Sequence, residues 1–156
     1  MNSINHFIFS LSLCLFLGFS KNILLPIIFS FIFAVLIDLD HFYKKIKRPR
    51  EARRTWVQEP FGLILLGFPL AFLLNLLNKS FLWLTLIPYS SHIFLDYLCV
   101  FEAFPLAPFS KIKKPKGMGI FIPSHYNWKM KGKISENYFL FINLILFLIS
   151  LYKLTY

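Results

Sequence analysis

The chain has 156 residues, of which 57% are hydrophobic, 19% aromatic and only 15% charged, a balance that would leave large greasy patches on a soluble domain of this size. Its net charge of +10 is clustered: seven of the 17 basic residues lie in 44–54, seven more in 111–133, and only Lys21, Lys79 and Lys153 remain. That is the pattern of cytoplasmic loops flanking membrane spans, so nucleic acid is not an expected partner, whereas membrane lipids with anionic headgroups are, at about 1 kcal/mol per basic residue near the surface.

The apolar runs between those clusters predict an all-α integral membrane bundle, one domain over residues 1–156, with five transmembrane helices. The spans fall at about 4–20, 23–39, 61–77, 81–104 and 138–154. Lys21-Asn22 and Asn78-Lys79 mark tight turns, and Pro26 sits near the start of the second span, where a missing N–H costs little. Several spans hold fewer than the roughly 20 apolar residues needed to cross about 30 Å, so their polar ends are expected within the depth of the membrane or the bilayer is expected to thin around them. With five spans the two basic loops share a side. The positive-inside rule then places both loops and the N-terminus in the cytoplasm, in a multi-pass protein of the inner or plasma membrane. The second basic loop carries Pro115, Gly117, Gly119, Pro123 and Gly132 and reads as a structured or mobile loop rather than a helix. Cys14 and Cys99 lie in apolar runs without CxxC spacing and read as buried thiols.

On this topology the polar residues of four spans reach one level. His6 begins span one, Asp38, Asp40 and His41 end span two, Gln58 and Glu59 begin span three, and His92 and Asp96 lie in the inner half of span four. An ionisable side chain deep in a bilayer costs about 2.5–3.5 kcal/mol on insertion scales, so such a coincidence points to function. The pair His92-x-x-x-Asp96 in "SHIFLDYL" projects from one helical face and can serve one centre. Histidine and carboxylate ligands from neighbouring helices are how bundles build metal sites; a set with carboxylate excess suits a divalent zinc, manganese or iron ion and does not choose among them. Each residue taken singly also has a plainer reading. His6 reads as an interfacial histidine, and Asp38 and Asp40 as markers of the water boundary or partners of the next loop's arginines. His41 and His125 read as surface residues, and Glu59 as a favourable charge at a helix N-terminus. The last span carries Asn143 but no ionisable side chain before Lys153, and is expected to be dispensable for metal binding.

The order of these motifs resembles the YdjM-like family of inner-membrane proteins read as metal-dependent hydrolases. The residues that carry the resemblance are His6, "LIDLDH" at 36–41, an Arg-rich entry to span three, "SHIFLDYL" at 91–98 and "APFS" at 107–110. That family is distantly similar to zinc-dependent phospholipases C and P1-type nucleases, which implies a phosphoester or lipid-like substrate at the cytoplasmic face. The resemblance implies His6, Asp38, His92 and Asp96 as metal ligands, Asp40 or Glu59 as general base or further ligand, and Arg54 as a phosphate-binding residue. One stretch departs from the family. Where it reads His-Arg-Gly-x-Thr-His-Ser, this chain reads "RRTWVQE" at 53–59, so Arg54 matches but Arg53 and Gln58 replace both histidines. Two other readings stand beside the hydrolase: a cation carrier or channel, since intramembrane Asp/His pairs also line ion paths, and a non-catalytic membrane scaffold with a degenerate metal site.

Overall fold

The computed structural model describes residues 3–39, 55–99, 121–122 and 134–155. Asp40, His41, Arg53, Arg54 and His125 lie outside the described residues. Among the described residues there are five helices and one small strand pair.

Helix α1, Ser3–Leu17, ends where Gly18 takes φ 69° and returns its N–H to the Leu15 carbonyl at 3.1 Å. Glycine adopts that left-handed conformation without a Cβ clash, which makes it the favoured helix terminator. The Asn22 side chain then accepts from the Leu24 N–H at 3.0 Å and opens α2, Leu24–Asp38. Helix α2 is regular only as far as Ser30. Phe31–Val35 widens into a π turn, in which the Leu36 N–H reaches back to the Phe31 carbonyl, and Leu36–Asp38 tightens into a 3-10 turn. Another 3-10 turn, Trp56–Gln58, leads into α3, Pro60–Asn75. Here too a π turn, Leu63–Gly67, stands directly before Pro69, whose ring and missing N–H do not fit a regular α ladder. Asn78 caps α4, Lys79–Leu98, by accepting from the Ser80 N–H at 2.9 Å. Helix α4 carries Pro88 inside it and ends at Leu98, where Cys99 turns extended; the expected continuation of the fourth span to Phe104 lies outside the described residues. Strands β1, Phe121–Ile122, and β2, Ile134–Ser135, pair in parallel, Phe121 opposite Ile134 and Ile122 opposite Ser135. Helix α5, Glu136–Thr155, follows directly.

Helices α1 and α4 form the centre. Helix α1 packs on α2, α4 and α5, and α4 packs on α1, α2 and α3. One end of this centre is apolar: Cys14, Phe29 and Leu84 are buried together, with the Phe29 and Phe81 rings 5.0 Å apart. The α1–α5 seam is polar. Asn5 donates to the Glu136 carbonyl at 3.3 Å, Asn143 donates to Asn5 Oδ1 at 3.3 Å, and Ser150 donates to the Ser12 carbonyl at 3.0 Å. Asn5 to Ser12 and Asn143 to Ser150 are both seven-residue steps, so two turns of each helix meet in register.

The distribution of polarity is the reverse of a soluble bundle. Leu76 and Leu77 are 71% and 77% exposed and Tyr138 and Phe141 are exposed as well, whereas Asn5, His6, Gln58, Glu59, His92 and Asn143 are buried. Among the described residues, Glu136–Thr155 is the helix long and apolar enough to cross a membrane, with a mean hydropathy of 1.8; Ser3–Leu17, Leu24–Asp38 and Pro60–Asn75 are apolar but shorter.

Candidate metal centre

The centre sits at the opposite end of the α1–α4 pair from the apolar cluster. Helix α1 supplies His6, α2 supplies Asp38 and α4 supplies His92 and Asp96. The His6 and His92 rings stack with centroids 4.2 Å apart and planes inclined by 25°. His6 Nε2 lies 3.2 Å from Asp96 Oδ1, and His92 Nε2 lies 3.5 Å from both Asp38 Oδ1 and Asp96 Oδ2. One donor atom each from His6, Asp38 and His92 falls within a 4.8 Å span. Asp96 is as near the histidines as Asp38 is, so the geometry defines a four-residue cluster.

Two observations bear on whether these residues fit a metal ion. The first is spacing. Ligand atoms about 2.0–2.1 Å from a tetrahedral ion stand about 3.3–3.4 Å apart, and the three contacts measure 3.2, 3.5 and 3.5 Å. The second is alignment. Despite that proximity, His6 Nδ1 and Nε2 and His92 Nε2 are buried without a hydrogen bond among the described residues. The histidine nitrogens thus lie close to the carboxylates without completing a hydrogen bond. Buried polar atoms left unpaired are costly, and a cation taken by all four groups removes that cost. The residues fit the group.

The surroundings orient these donors. His92 Nδ1 lies 2.9 Å from the Ala34 carbonyl. A carbonyl only accepts, so Nδ1 carries a proton and Nε2 is the nitrogen that faces the cluster, the usual arrangement behind a metal-binding histidine. Ala34 belongs to the π turn of α2, and such turns often accompany functional sites. Gln58, also buried, donates through Nε2 to Asp38 Oδ1 at 2.9 Å and to the Ile37 carbonyl at 3.3 Å. Both partners accept, so the amide nitrogen rather than the oxygen faces the site. Gln58 therefore holds Asp38 in place and offers no ligand atom there.

The Gln58 turn is itself fixed from two sides. Tyr89 on α4 donates its hydroxyl to the Val57 carbonyl at 2.6 Å. At Gly62 a Cβ would collide with the Trp56 and Val57 carbonyl oxygens, and at Gly67 it would press into the Tyr89 ring. Both glycines are needed for close approach. Glu59 is buried, and its Oε2 accepts from the Tyr97 hydroxyl at 2.6 Å. It is held beside the cluster by a partner on α4, a role that its position before Pro60 does not reveal. The cluster is closed on most sides: both histidine side chains are fully buried and Asp96 is 7% exposed, while Asp38 is 29% exposed. Approach is thus from the Asp38 side.

The stacking of the two histidines, the Ala34 carbonyl and the Tyr97–Glu59 contact have no signal in local sequence, because each joins residues on separate helices. Gln58 carried a signal, its polar amide at the entry to an apolar run, but the direction in which that amide points did not.

An all-α bundle with a buried His/Asp centre open on one edge belongs to the class of helical proteins that build sites from side chains on facing helices. The chain belongs to the family described as YdjM inner membrane protein, whose profile matches residues 1–155. No curated protein and no solved structure shows a significant match to it.

Proposed function

We propose that the protein is a membrane-embedded, metal-dependent hydrolase acting on a phosphoester or lipid-like substrate at the cytoplasmic face. The single domain would cross the inner membrane five times, N-terminus inside, with both basic loops in the cytoplasm. The observation that carries the reading is the gathering of two histidines and two carboxylates from three helices, with both His6 nitrogens and His92 Nε2 unpaired by hydrogen bonds. Family membership, the greasy exterior and the clustered basic charge support the membrane setting.

His6, Asp38, His92 and Asp96 would hold a divalent cation, zinc, manganese or iron. When bound, such an ion supplies Lewis acidity that polarises a phosphoryl oxygen and lowers the pKa of water to about 7. The chain's own residues do the rest. Ala34 fixes the tautomer of His92, and Gln58 keeps the Asp38 carboxylate turned inward. Glu59, held by Tyr97, or Asp40 would take a proton as general base. Arg54 and the basic loops would hold an anionic phosphate or headgroup at the Asp38 side.

The test is metal analysis of full-length protein purified without chelator, followed by assay of phosphodiester and phospholipid cleavage. The reading expects about one divalent ion per chain and cleavage that is lost on chelation and regained on adding the ion. Protein that binds no metal and cleaves nothing would leave the family's fold without its chemistry and favour a scaffold. Metal binding with ion flux in vesicles and no cleavage would favour a carrier.

A further inference from the structure

Beneath the cluster, the same three helices carry a second set of buried polar groups. Ser10 on α1, Ser30 on α2 and Thr85 on α4 are fully buried, and their hydroxyls have no hydrogen-bond partner among the described residues. This is not how the other buried hydroxyls of the bundle behave. Ser12 donates to the Ile8 carbonyl at 2.6 Å and Ser91 to the Pro88 carbonyl at 2.9 Å, each within its own helix. A helical hydroxyl can always satisfy itself in that way. Three that do not, on the three helices that build the centre, call for a common explanation.

Their positions supply one. On α1 the buried positions His6, Ser10 and Cys14 are four residues apart, so they share one face; on α2 Ser30 stands directly before the π turn that carries Ala34. His6 stacks on His92, and Cys14 packs with Leu84 and Phe29, which fixes one antiparallel register between α1 and α4. At 1.5 Å per residue, Ser10 lies about 6 Å below His6, Thr85 about 10 Å below His92, and Cys14 about 12 Å below His6. Ser30 follows Phe29, which packs on Cys14. The register also sets Ser10 opposite Pro88, which has no N–H to give the Leu84 carbonyl. One more acceptor at this depth thus lacks its α-helical donor.

We propose that these groups line a short column of ordered water that runs from the His6–His92 cluster into the bundle as far as Cys14. A column of about 10–12 Å holds on the order of three water molecules at hydrogen-bond spacing of about 2.8 Å. Each would find the two to four polar partners that a buried water requires: the hydroxyls, the Leu84 carbonyl, the unpaired His6 nitrogen and neighbouring waters. The column keeps exchangeable water and protons at the buried side of the centre, away from the Asp38 opening. Its lining consists of the chain's own groups and does not depend on a bound metal.

The thiol of Cys14 reports on it. In full-length protein in lipid nanodiscs, the S–H stretching band of Cys14 is assigned by its loss in Cys14→Ser, and its conversion to S–D is followed by infrared spectroscopy after transfer to deuterated buffer. A hydrated column predicts fast conversion in wild type, far ahead of the backbone amides of α1, and loss of that fast phase in Ser30→Ala and in Thr85→Val. Thr85→Ser, which keeps the hydroxyl, should retain it. Conversion of Cys14 no faster than the core amides would overturn the proposal. So would fast conversion that Ser30→Ala and Thr85→Val leave unchanged, since the exchange would then come from opening of the bundle. Absence of metal from the same protein would refute the hydrolase reading and leave this result standing.

Discussion

Helix α1 makes two polar seams, and they satisfy their polar atoms in different ways. Toward α5, Asn5 and Ser12 meet Asn143 and Ser150 through hydrogen bonds of 3.0–3.5 Å, spaced two turns apart. Toward α4, His6 meets His92 and Asp96 at 3.2–4.2 Å, and neither ring completes a hydrogen bond within the cluster. The first seam has the character of interhelical glue, uncharged groups that pair with one another or with backbone and leave only Asn143 Oδ1 over. The second gathers ionisable groups from three helices, with both His6 nitrogens and His92 Nε2 left without a hydrogen bond. Buried polarity alone therefore does not mark a site in this bundle; ionisable groups gathered from three helices do.

The largest expected effect breaks the second seam. His92→Ala and Asp96→Ala should each weaken metal binding by more than about 100-fold, beyond the 10–100-fold that outer-shell partners typically carry, as read by metal titration of the purified protein. Hydrolysis should vanish with the metal. A change at Gln58 should act more gently because it works through Asp38. Gln58→Leu removes the 2.9 Å hydrogen bond to Asp38 and should weaken binding by about tenfold. Gln58→His restores an imidazole where the YdjM-like pattern has one and should tighten it.

How far the sequence reveals these features depends on whether the signal is local. The turns at Asn22 and Asn78 and the pairing of His92 with Asp96 follow from composition and spacing, and the structure carries all three. The gathering of His6, Asp38, His92 and Asp96 was legible only by counting spans and charges, since no local rule connects residue 6 with residue 96. The α1–α5 seam was not legible. Asn143 has no charge and sits in an otherwise apolar run, so α5 reads as a spare membrane span; its partner Asn5 is 138 residues away. The irregular turns in α2 and α3 also escape pattern reading, because a π turn keeps the helical apolar period while shifting its phase.

The first seam should break differently. Asn143→Leu and Ser150→Ala should lower stability by about 0.6 kcal/mol each, the average for such interhelical hydrogen bonds in a membrane, while metal affinity stays at the wild-type level. Removal of α5 should do more, because it exposes Asn5 and Ser12 on the helix that carries His6. Thermal unfolding in detergent, with metal content measured on the same samples, separates the two seams. The smallest effect is expected at Tyr97→Phe. It deletes the 2.6 Å hydrogen bond to Glu59 and should leave metal affinity unchanged, because Glu59 is not among the residues whose donor atoms gather with the histidines. A marked loss of metal there would move Glu59 into the ligand set.

The four clustered groups either bind a cation or merely hydrogen-bond across α1, α2 and α4. Asp96→Asn tests this most directly, because it preserves size and hydrogen-bonding capacity and removes only the charge. Metal per chain should be measured on wild-type and Asp96→Asn protein, both full length, purified in parallel without chelator and matched for thermal stability. The account predicts about one divalent ion in wild type and little or none in Asp96→Asn. Equal metal content in the two proteins, or none in wild type, would contradict it.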